Sequence, residues 1–155
     1  MSGIPTSAPP SLLPDLPCAC SNLRRAARLV TQLYSEEMGR ELEPGPFATL
    51  SFLSMRPGAS QSAAGSALGL DKTTMSRNLL LLRSRNWIEW VPTDDRRERG
   101  YRLTETGAEI LAAAKPGWLR AQEKMRAALG AEQWDAMFQL VGHVADSAVR
   151  ARRDS

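Results

Sequence analysis

The sequence has little of what enzymes and metal proteins require. It contains one histidine, His143, and no glycine-rich loop of the kind that cradles phosphate groups. No nucleophile with a neighbouring base can be proposed from such residues, which argues against catalysis. A single histidine is also too few for a zinc site within one chain. We therefore expect no enzyme, no cofactor and no metal centre, and we place His143 on a helix face.

Long apolar runs are absent as well. No stretch approaches the roughly 20 apolar residues that a helix needs to span a bilayer, and the first residues lack the basic patch and apolar core of a signal peptide. Cysteine is scarce, since Cys18 and Cys20 are the only two. They are too close in sequence to cross-link distant parts of a fold. We therefore expect a cytoplasmic protein in a reducing compartment, with no membrane partner.

The remaining composition is that of one globular domain. The 155 residues are 43% hydrophobic and 24% charged, values close to the average for folded proteins. The net charge of +3 permits a polyanionic partner but is too small to demonstrate one. The charge is uneven, because residues 72–102 contain eight basic and four acidic side chains. This local excess of positive charge makes the segment the first candidate for a binding surface.

The N-terminal part divides into an arm and a helix. Residues 1–17 contain five of the ten prolines among Ser, Thr and Gly, a composition that predicts a flexible arm. From Asn22, apolar side chains recur at steps of three and four, which predicts a long helix ending between Gly39 and Glu43. Its apolar stripe consists of Leu23, Ala27, Val30 and Tyr34.

Residues 60–85 predict a helix-turn-helix. A Pro-Gly-Pro break at residues 44–46 and one short apolar helix come before it. Ser60 is placed to cap the next helix, and residues 68–71 form a tight turn in which Gly69 supplies a left-handed backbone. A second helix then runs from residue 72 to residue 85, with Leu79 and Leu82 facing inward. Helix, short glycine turn and helix is the helix-turn-helix arrangement.

The second of these helices begins with small polar and basic side chains. A recognition helix presents such groups to base edges and phosphates at its N-terminal turns. The candidate DNA contacts are Lys72, Thr73, Thr74, Ser76 and Arg77. The alternative is an ordinary solvated helix start, but Thr and Ser are poor helix formers, and their crowding here favours a function.

A β-hairpin is predicted after the helix-turn-helix. Residues 87–91 and 101–103 are rich in β-forming side chains. The polar connector between them is typical of a wing that reaches the phosphate backbone or the minor groove. The candidate contacts there are Arg96, Arg97 and Arg99, with Asp95 orienting the wing, and Arg97 is the strongest of them. The alternative is that Asp94, Asp95 and Glu98 pair internally with these arginines.

Two long helical regions close the chain. Thr104 caps the first, in which a bend is expected at Pro116, and the second begins at Glu132. Both carry more apolar surface than a small winged module can cover, which predicts pairing with a second subunit. The expected fold is mainly α with a small β-hairpin wing. A winged helix-turn-helix lobe at residues 46–103 lies between dimerisation helices at residues 18–43 and 104–155.

Three strings resemble the MarR family of winged helix-turn-helix transcriptional regulators. They are Leu-Asp-Lys-Thr-Thr-Met-Ser-Arg at residues 70–77, Asp-Arg-Arg at residues 95–97, and Leu-Thr-Glu-Thr-Gly at residues 103–107. In the family the wing carries a carboxylate and an arginine two residues apart, as Asp95 and Arg97 do here. The resemblance implies a homodimer that binds double-stranded DNA at a pseudo-palindromic operator and represses transcription by occluding a promoter.

The resemblance also implies release from DNA by a small, often aromatic ligand or by cysteine oxidation. Tyr34, Phe47 and Trp118 are the candidate lining of a ligand crevice, although aromatics at helical spacing more often form core or dimer contacts. Cys18 and Cys20 are candidates for redox or soft-metal sensing, because a thiol at a helix N-terminus has a lowered pKa. The alternative is a pair of inert thiols. Two residues apart on a helix, their side chains would point in nearly opposite directions and strain a disulfide.

Two other functions stay open at this point. A non-specific architectural protein would share the basic wing but would not discriminate between DNA sequences. A winged helix can also serve purely as a protein-interaction module.

Overall fold

The computed structural model describes residues 11–93, 95 and 97–153. In chain order the elements are α1 (Ala19–Met38), α2 (Pro44–Met55), β1 (Ala59–Ser60), α3 (Gln61–Leu68), α4 (Lys72–Ser84), β2 (Ile88–Val91), β3 (Gly100–Leu103), α5 (Glu105–Leu129) and α6 (Ala131–Arg153). This is the mainly α fold with a small antiparallel sheet that the sequence predicts. Over the described part of the chain, no helix combines the length and apolar character needed to cross a membrane.

Hydroxyl groups mark where two helices begin. The side-chain oxygen of Ser60 accepts a hydrogen bond from the Ala63 amide at 3.2 Å, at the start of α3. That of Thr104 accepts one from the Gly107 amide at 3.0 Å, at the start of α5. Each bond satisfies a backbone donor that the first helical turn leaves unpaired. The predicted capping roles of Ser60 and Thr104 are therefore confirmed.

The turn between α3 and α4 depends on Gly69. Its φ of 65° and ψ of 26° are left-handed, a conformation that costs glycine little because it has no Cβ. Two backbone hydrogen bonds close the turn, from Gly69 to the Ser66 carbonyl at 3.4 Å and from Leu70 to the Gly65 carbonyl at 2.9 Å. Helix, turn and helix follow one another as predicted.

Two proline-containing segments show how position decides the effect of proline. Residues 44–46, expected as a break, form the first turn of α2, with Pro44 at the first helical position. Proline fits there because its φ is already helical and no amide donor is needed from it. Pro116 lies inside α5, which runs without interruption from Glu105 to Leu129.

The sheet has the order β1-β3-β2, with both pairings antiparallel. β2 and β3 are the strands of the predicted hairpin, with Ile88 opposite Leu103 and Val91 opposite Gly100. β1 adds two residues along the other edge of β3. The sequence did not predict β1, because two residues are too few to show strand periodicity. The loop that joins Val91 to Gly100 is the wing.

The core lies between α2, α4, the sheet and α5. Its buried members are Leu42, Phe47, Leu50, Leu53, Ala64, Met75, Leu79, Leu82, Trp87, Ile88, Tyr101 and Ala114. Leu79 and Leu82 face inward as predicted, and Met75 completes their face of α4. Because the buried residues Met75, Leu79 and Leu82 are spaced four and three residues apart, they lie on one face of α4 and the opposite face is exposed to solvent.

α1 packs along α5, and the two helices approach closely at Gly117. A Cβ added there would lie 2.5 Å from the Glu37 carbonyl oxygen. The Glu37 carboxylate accepts hydrogen bonds from Lys124 and, at 3.3 Å, from Arg120. The hydrogen bond from Lys124, supported by Arg120, holds the pKa of Glu37 below its ordinary value. This ion pair and the close crossing join the first helix to the rest of the molecule.

The segment before α1 is irregular but attached. The Asn22 side chain donates a hydrogen bond to the Leu16 carbonyl at 2.5 Å, and Arg25 donates one to the Pro14 carbonyl at 2.7 Å. The predicted flexible arm therefore includes a part that is tied to α1. Residues 1–10 of that arm lie outside the described residues.

The two terminal helices bury no residue within the described chain. Leu23 and Leu29 on α1, and Phe138, Val141 and Val149 on α6, are each about half exposed. Large apolar side chains that stay half exposed are typical of interaction surfaces. The excess apolar surface that the sequence predicts for the terminal helices is thus present.

Candidate nucleic-acid interface

The outward face of α4 carries the polar residues predicted as DNA contacts. All five lie in the first two turns of the helix and are exposed: Lys72, Thr73, Thr74, Ser76 and Arg77. These turns also carry the backbone amides and the positive end of the helix dipole, both of which favour an anion. The fold therefore presents the five candidates together on one surface.

Asp71 holds the start of this surface in place. One of its carboxylate oxygens accepts a hydrogen bond from the Thr74 amide at 3.0 Å, and the other accepts one from the Thr74 hydroxyl at 2.6 Å. The hydrogen bond from the Thr74 hydroxyl, followed by that from the amide, lowers the pKa of Asp71. The Thr74 hydroxyl already donates its hydrogen to Asp71. A DNA contact by Thr74 therefore has to use this hydroxyl as an acceptor or replace that bond.

The inward face of α4 is anchored on α2 by a buried polar contact. The Asn78 side chain donates a hydrogen bond to the Thr49 hydroxyl at 2.7 Å, and Thr49 donates to the Gly45 carbonyl at 3.4 Å. Thr49 is fully buried. Rotation of α4 would leave these groups unpaired, so the contact restricts how the helix presents its outer face. This contact was not predicted from the sequence, although the position of Asn78, one residue before the inward-facing Leu79, was a usable signal.

A compact turn shapes the tip of the wing. The Asp95 carboxylate accepts a hydrogen bond from the Arg97 amide at 2.9 Å, and the Asp95 carbonyl accepts one from the Glu98 amide at 3.0 Å. An aspartate that accepts from the amide two residues ahead forms an Asx-turn. Asp95 thus orders the backbone from which the exposed Arg97 side chain projects. Arg96, the third predicted wing arginine, lies outside the described residues.

Arg99 has a different environment from Arg97. Its guanidinium carbon lies 3.9 Å from the centroid of the Trp90 ring, and the guanidinium carbon of Arg83 lies 3.4 Å from it. Arg83 belongs to the last turn of α4, Trp90 to β2 and Arg99 to the end of the wing. Because a cation above an aromatic ring is attracted by its negative face, this stack links the recognition helix to the wing. The sequence does not predict this contact of Arg83 and Trp90, since only the folded hairpin brings them together.

A second candidate site lies away from this surface. Tyr34, Phe47 and Trp118, the predicted crevice residues, all line one cavity of about 520 Å³ where α1, α2, α3 and α5 meet. The rings of Phe47 and Trp118 stack with centroids 5.8 Å apart. Burial raises the pKa of Tyr34. The cavity lies between the N-terminal helix and the helix-turn-helix lobe. Its volume is typical of a small-molecule site.

Cys18 and Cys20 lie exposed at the start of α1. Cys18 is the N-cap residue, with an extended φ of −119° and ψ of 119°, whereas Cys20 lies in the first turn. The nearby amide and hydroxyl of Ser21 lower the pKa of the Cys18 thiol. The expectation that both cysteines stand on a helix is wrong, because Cys18 has extended backbone and only Cys20 lies within α1. Over the described residues, no group of three or more His, Cys, Asp or Glu side chains is arranged to hold a metal ion.

Solved structures similar to this chain are transcriptional regulators. MosR, a transcriptional regulator of M. tuberculosis solved in complex with DNA, is 28% identical with a TM-score of 0.78, over 87% of this chain and 98% of that one. PcaV from Streptomyces coelicolor, solved with its natural ligand, is 26% identical with a TM-score of 0.78, over 89% and 99%. MarR from E. coli shares the fold at 17% identity and a TM-score of 0.66, over 84% and 98%. These neighbours are MarR-family regulators.

Their similarity to this chain supports a transcriptional regulator of the MarR type that binds DNA. Comparison of its sequence with family models and with curated proteins gives no match, so the assignment rests on three-dimensional similarity. The similarity to these regulators confirms the predicted fold and the predicted class, a transcriptional regulator and not an enzyme. The roles of individual residues stay predictions.

Proposed function

We propose that this protein binds a specific, pseudo-palindromic DNA operator as a homodimer and represses transcription by occluding a promoter. The observation that carries the proposal is the exposed polar start of α4, which buried residues anchor from behind and the wing flanks. A recognition helix enters the major groove with its N-terminal residues against base edges. The similar regulator MosR, solved in complex with DNA, supports the choice of partner, and such a function belongs in the cytoplasm.

In this proposal α4 and the wing have different tasks. Thr73 and Ser76 offer short hydroxyl groups to base edges, and Arg77 offers a fork of donors that suits guanine or a phosphate. Lys72 neutralises a phosphate at the end of the helix. Arg97 reaches the minor groove from the tip of the wing, where a narrow groove concentrates negative potential. Specificity therefore comes mainly from α4, and affinity from both.

A second copy of the chain is the partner that the terminal helices require. The half-exposed apolar side chains of α1 and α6, among them Leu23, Phe138 and Val141, gain hydrophobic stabilisation only when another surface covers them. Self-association on a two-fold axis would cover both copies at once. It would also place two α4 helices in successive major grooves, about 34 Å apart, on a pseudo-palindromic site.

A small aromatic molecule is the proposed effector. The cavity lined by Tyr34, Phe47 and Trp118 offers stacking faces and one phenol group, and it holds about 520 Å³. It lies between the dimerisation helix α1 and the helix-turn-helix, so a ligand there would change the angle between them. The similar regulator PcaV, solved with its natural ligand, supports regulation by ligand binding. Loss of the 34 Å spacing would release the operator.

Oxidation of Cys18 and Cys20 is a second proposed route to release. The lowered pKa of Cys18 raises the fraction of thiolate, which is the form that reacts with peroxide. Both thiols are exposed. A Cys18→Ser, Cys20→Ser variant should stay on DNA after peroxide treatment, while the parent protein dissociates. Equal dissociation of the two proteins would leave the thiols without a sensing role.

The experiment that tests the proposal is a fluorescence-anisotropy titration of the reduced protein against genomic fragments, beginning with the region upstream of its own gene. Moderate salt and excess non-specific competitor DNA are used. Arg77→Ala should weaken operator binding by about 1–3 kcal/mol, the effect of a lost bidentate base contact, and Arg97→Ala should weaken it by removing a minor-groove contact. Arg28→Ala, on the exposed surface of α1, is the matched control and should bind like the parent protein.

The three outcomes separate three functions. Tight binding to one fragment that contains a pseudo-palindrome supports the specific regulator. Equal binding to all fragments, with strong salt dependence, would identify a non-specific architectural protein instead. No DNA binding, with dimerisation intact, would point to a protein-interaction module.

A further inference from the structure

The last turn of α6 forms part of a basic surface that the sequence analysis did not consider. This turn carries Arg150, Arg152 and Arg153. Arg152 and Arg153 line one cavity of about 1190 Å³ together with Lys72 of α4 and Arg97 of the wing. Residues from the C-terminal end of the chain therefore face the same cavity as the two elements proposed to bind DNA.

The lengths of the last two helices explain this meeting. α5 has 25 residues and α6 has 23, which at 1.5 Å per residue makes each about 35 Å long. They are joined at Gly130 and pack against each other. α5 starts directly after β3, at the base of the hairpin, so an α6 of nearly equal length that runs back along it ends near the winged lobe. Val149 on the cavity wall shows that α6 does return there.

The charge of this cavity suits a polyanion. Its lining includes five basic side chains, Lys72, Arg97, Arg99, Arg152 and Arg153, and two acidic ones, Asp71 and Glu98. Asp71 is engaged in capping α4. The positive excess therefore faces the space between the helix-turn-helix and α6.

A purely structural explanation accounts for only part of this pattern. Basic residues in the last turn of any helix interact favourably with the helix dipole. Arg126 in the last turn of α5 has the same relation to its own helix. The dipole does not explain why Arg152 and Arg153 share a cavity with Lys72 and Arg97, whereas an anion that spans all four does.

We propose that the C-terminal turn of α6 is a third DNA-contacting element, in which Arg152 and Arg153 neutralise backbone phosphates next to those met by Lys72 and Arg97. The inference rests on the proposed function, because it takes DNA as the anion. Phosphate contacts carry no sequence information. This element therefore adds affinity for operator and non-operator DNA alike and leaves the preference between them unchanged.

The test is the salt dependence of DNA binding, measured by anisotropy on the operator and on a non-operator duplex from about 50 to 200 mM salt. A plot of log K against log salt has a negative slope, and each lost phosphate contact reduces the magnitude of that slope by about 0.9. Arg152→Gln with Arg153→Gln should reduce the magnitude of the slope by at least that amount on both duplexes. Arg152→Lys with Arg153→Lys keeps the charge and should keep the slope. Arg28→Gln with Arg126→Gln removes the same charge, including one from a helix C-terminus, and should behave like the parent protein.

Circular dichroism and sedimentation establish that each variant is folded and associates like the parent protein. An unchanged slope for the Arg152, Arg153 glutamine variant overturns the inference while leaving the regulator itself intact. An equal fall in the Arg28, Arg126 control also overturns it, because net charge would then be the cause. If the parent protein binds neither duplex, the proposed function fails, and this inference fails with it.

Discussion

The winged lobe and the terminal helices use apolar residues in opposite ways. α2 and α4 bury theirs in one core with the sheet and α5, whereas α1 and α6 bury none. On α6, even the edge-on aromatic contact of Trp134 and Phe138 leaves Phe138 56% exposed. Apolar surface contributes to stability only to the extent that it leaves water. The lobe is therefore stabilised by its own packing, whereas the terminal helices leave apolar surface that the proposed dimer would cover.

The largest expected effect lies in the lobe. Leu82 of α4 is fully buried, and Leu82→Ala should lower the free energy of unfolding by about 2–5 kcal/mol, because it leaves a cavity in the core.

Phe138→Asp on α6 should instead shift the protein towards monomer, with the helix content of the lobe retained. Urea denaturation and sedimentation equilibrium measure the two effects. If Phe138→Asp unfolds the lobe without changing association, α6 stabilises the lobe and does not contribute to a dimer.

A smaller effect is expected at the junction of helix and wing within the lobe. Trp90→Ala removes the ring on which Arg83 and Arg99 stack, with each contact contributing about 0.5–1 kcal/mol at an exposed site. Operator affinity should fall roughly 5- to 30-fold, the equivalent of about 1–2 kcal/mol, and association should not change. Trp90→Phe keeps an aromatic face and should recover most of the affinity. If the alanine and phenylalanine variants bind alike, the stack does not position the wing.

The smallest effect is expected where a terminal helix meets the rest of the molecule. The folded-state pKa of Glu37 is lowered by Lys124 and Arg120, so this carboxylate stabilises the fold above its unfolded pKa, and the contribution is lost as pH falls through the lowered value. Glu37→Gln should therefore reduce thermal stability at neutral pH, and the difference from the parent protein should vanish in acid. Since both cations are more than half exposed, salt should also shrink the difference. Melting curves from pH 7 to pH 3 measure it, and a gap that persists in acid would mean that the ion pair is not its cause.

Much of the lobe could be predicted because its signals act over a few residues. Ser60 and Thr104 cap helices within one turn, Gly69 supplies one left-handed residue, and the spacing of Leu79 and Leu82 defines one helix face. The polar start of α4 follows from the same periodicity, since the residues that are not inward must be outward. The predicted break at residues 44–46 failed because proline opens a helix as readily as it ends one, and only the following residues decide which occurs.

The sequence by itself determined the helices, their caps, the turn of the helix-turn-helix and the surplus of apolar surface at the two ends of the chain. These features depend on backbone sterics and on hydrogen bonds between near neighbours. Only the tertiary structure decided which distant groups meet: the buried bond of Asn78 to Thr49, the aromatic cavity, and the return of Arg152 and Arg153 to the recognition helix. Such meetings depend on how whole helices pack and on their relative lengths. Glu37 and Lys124, 87 residues apart, carry no mark of their contact until the helices that bear them lie side by side.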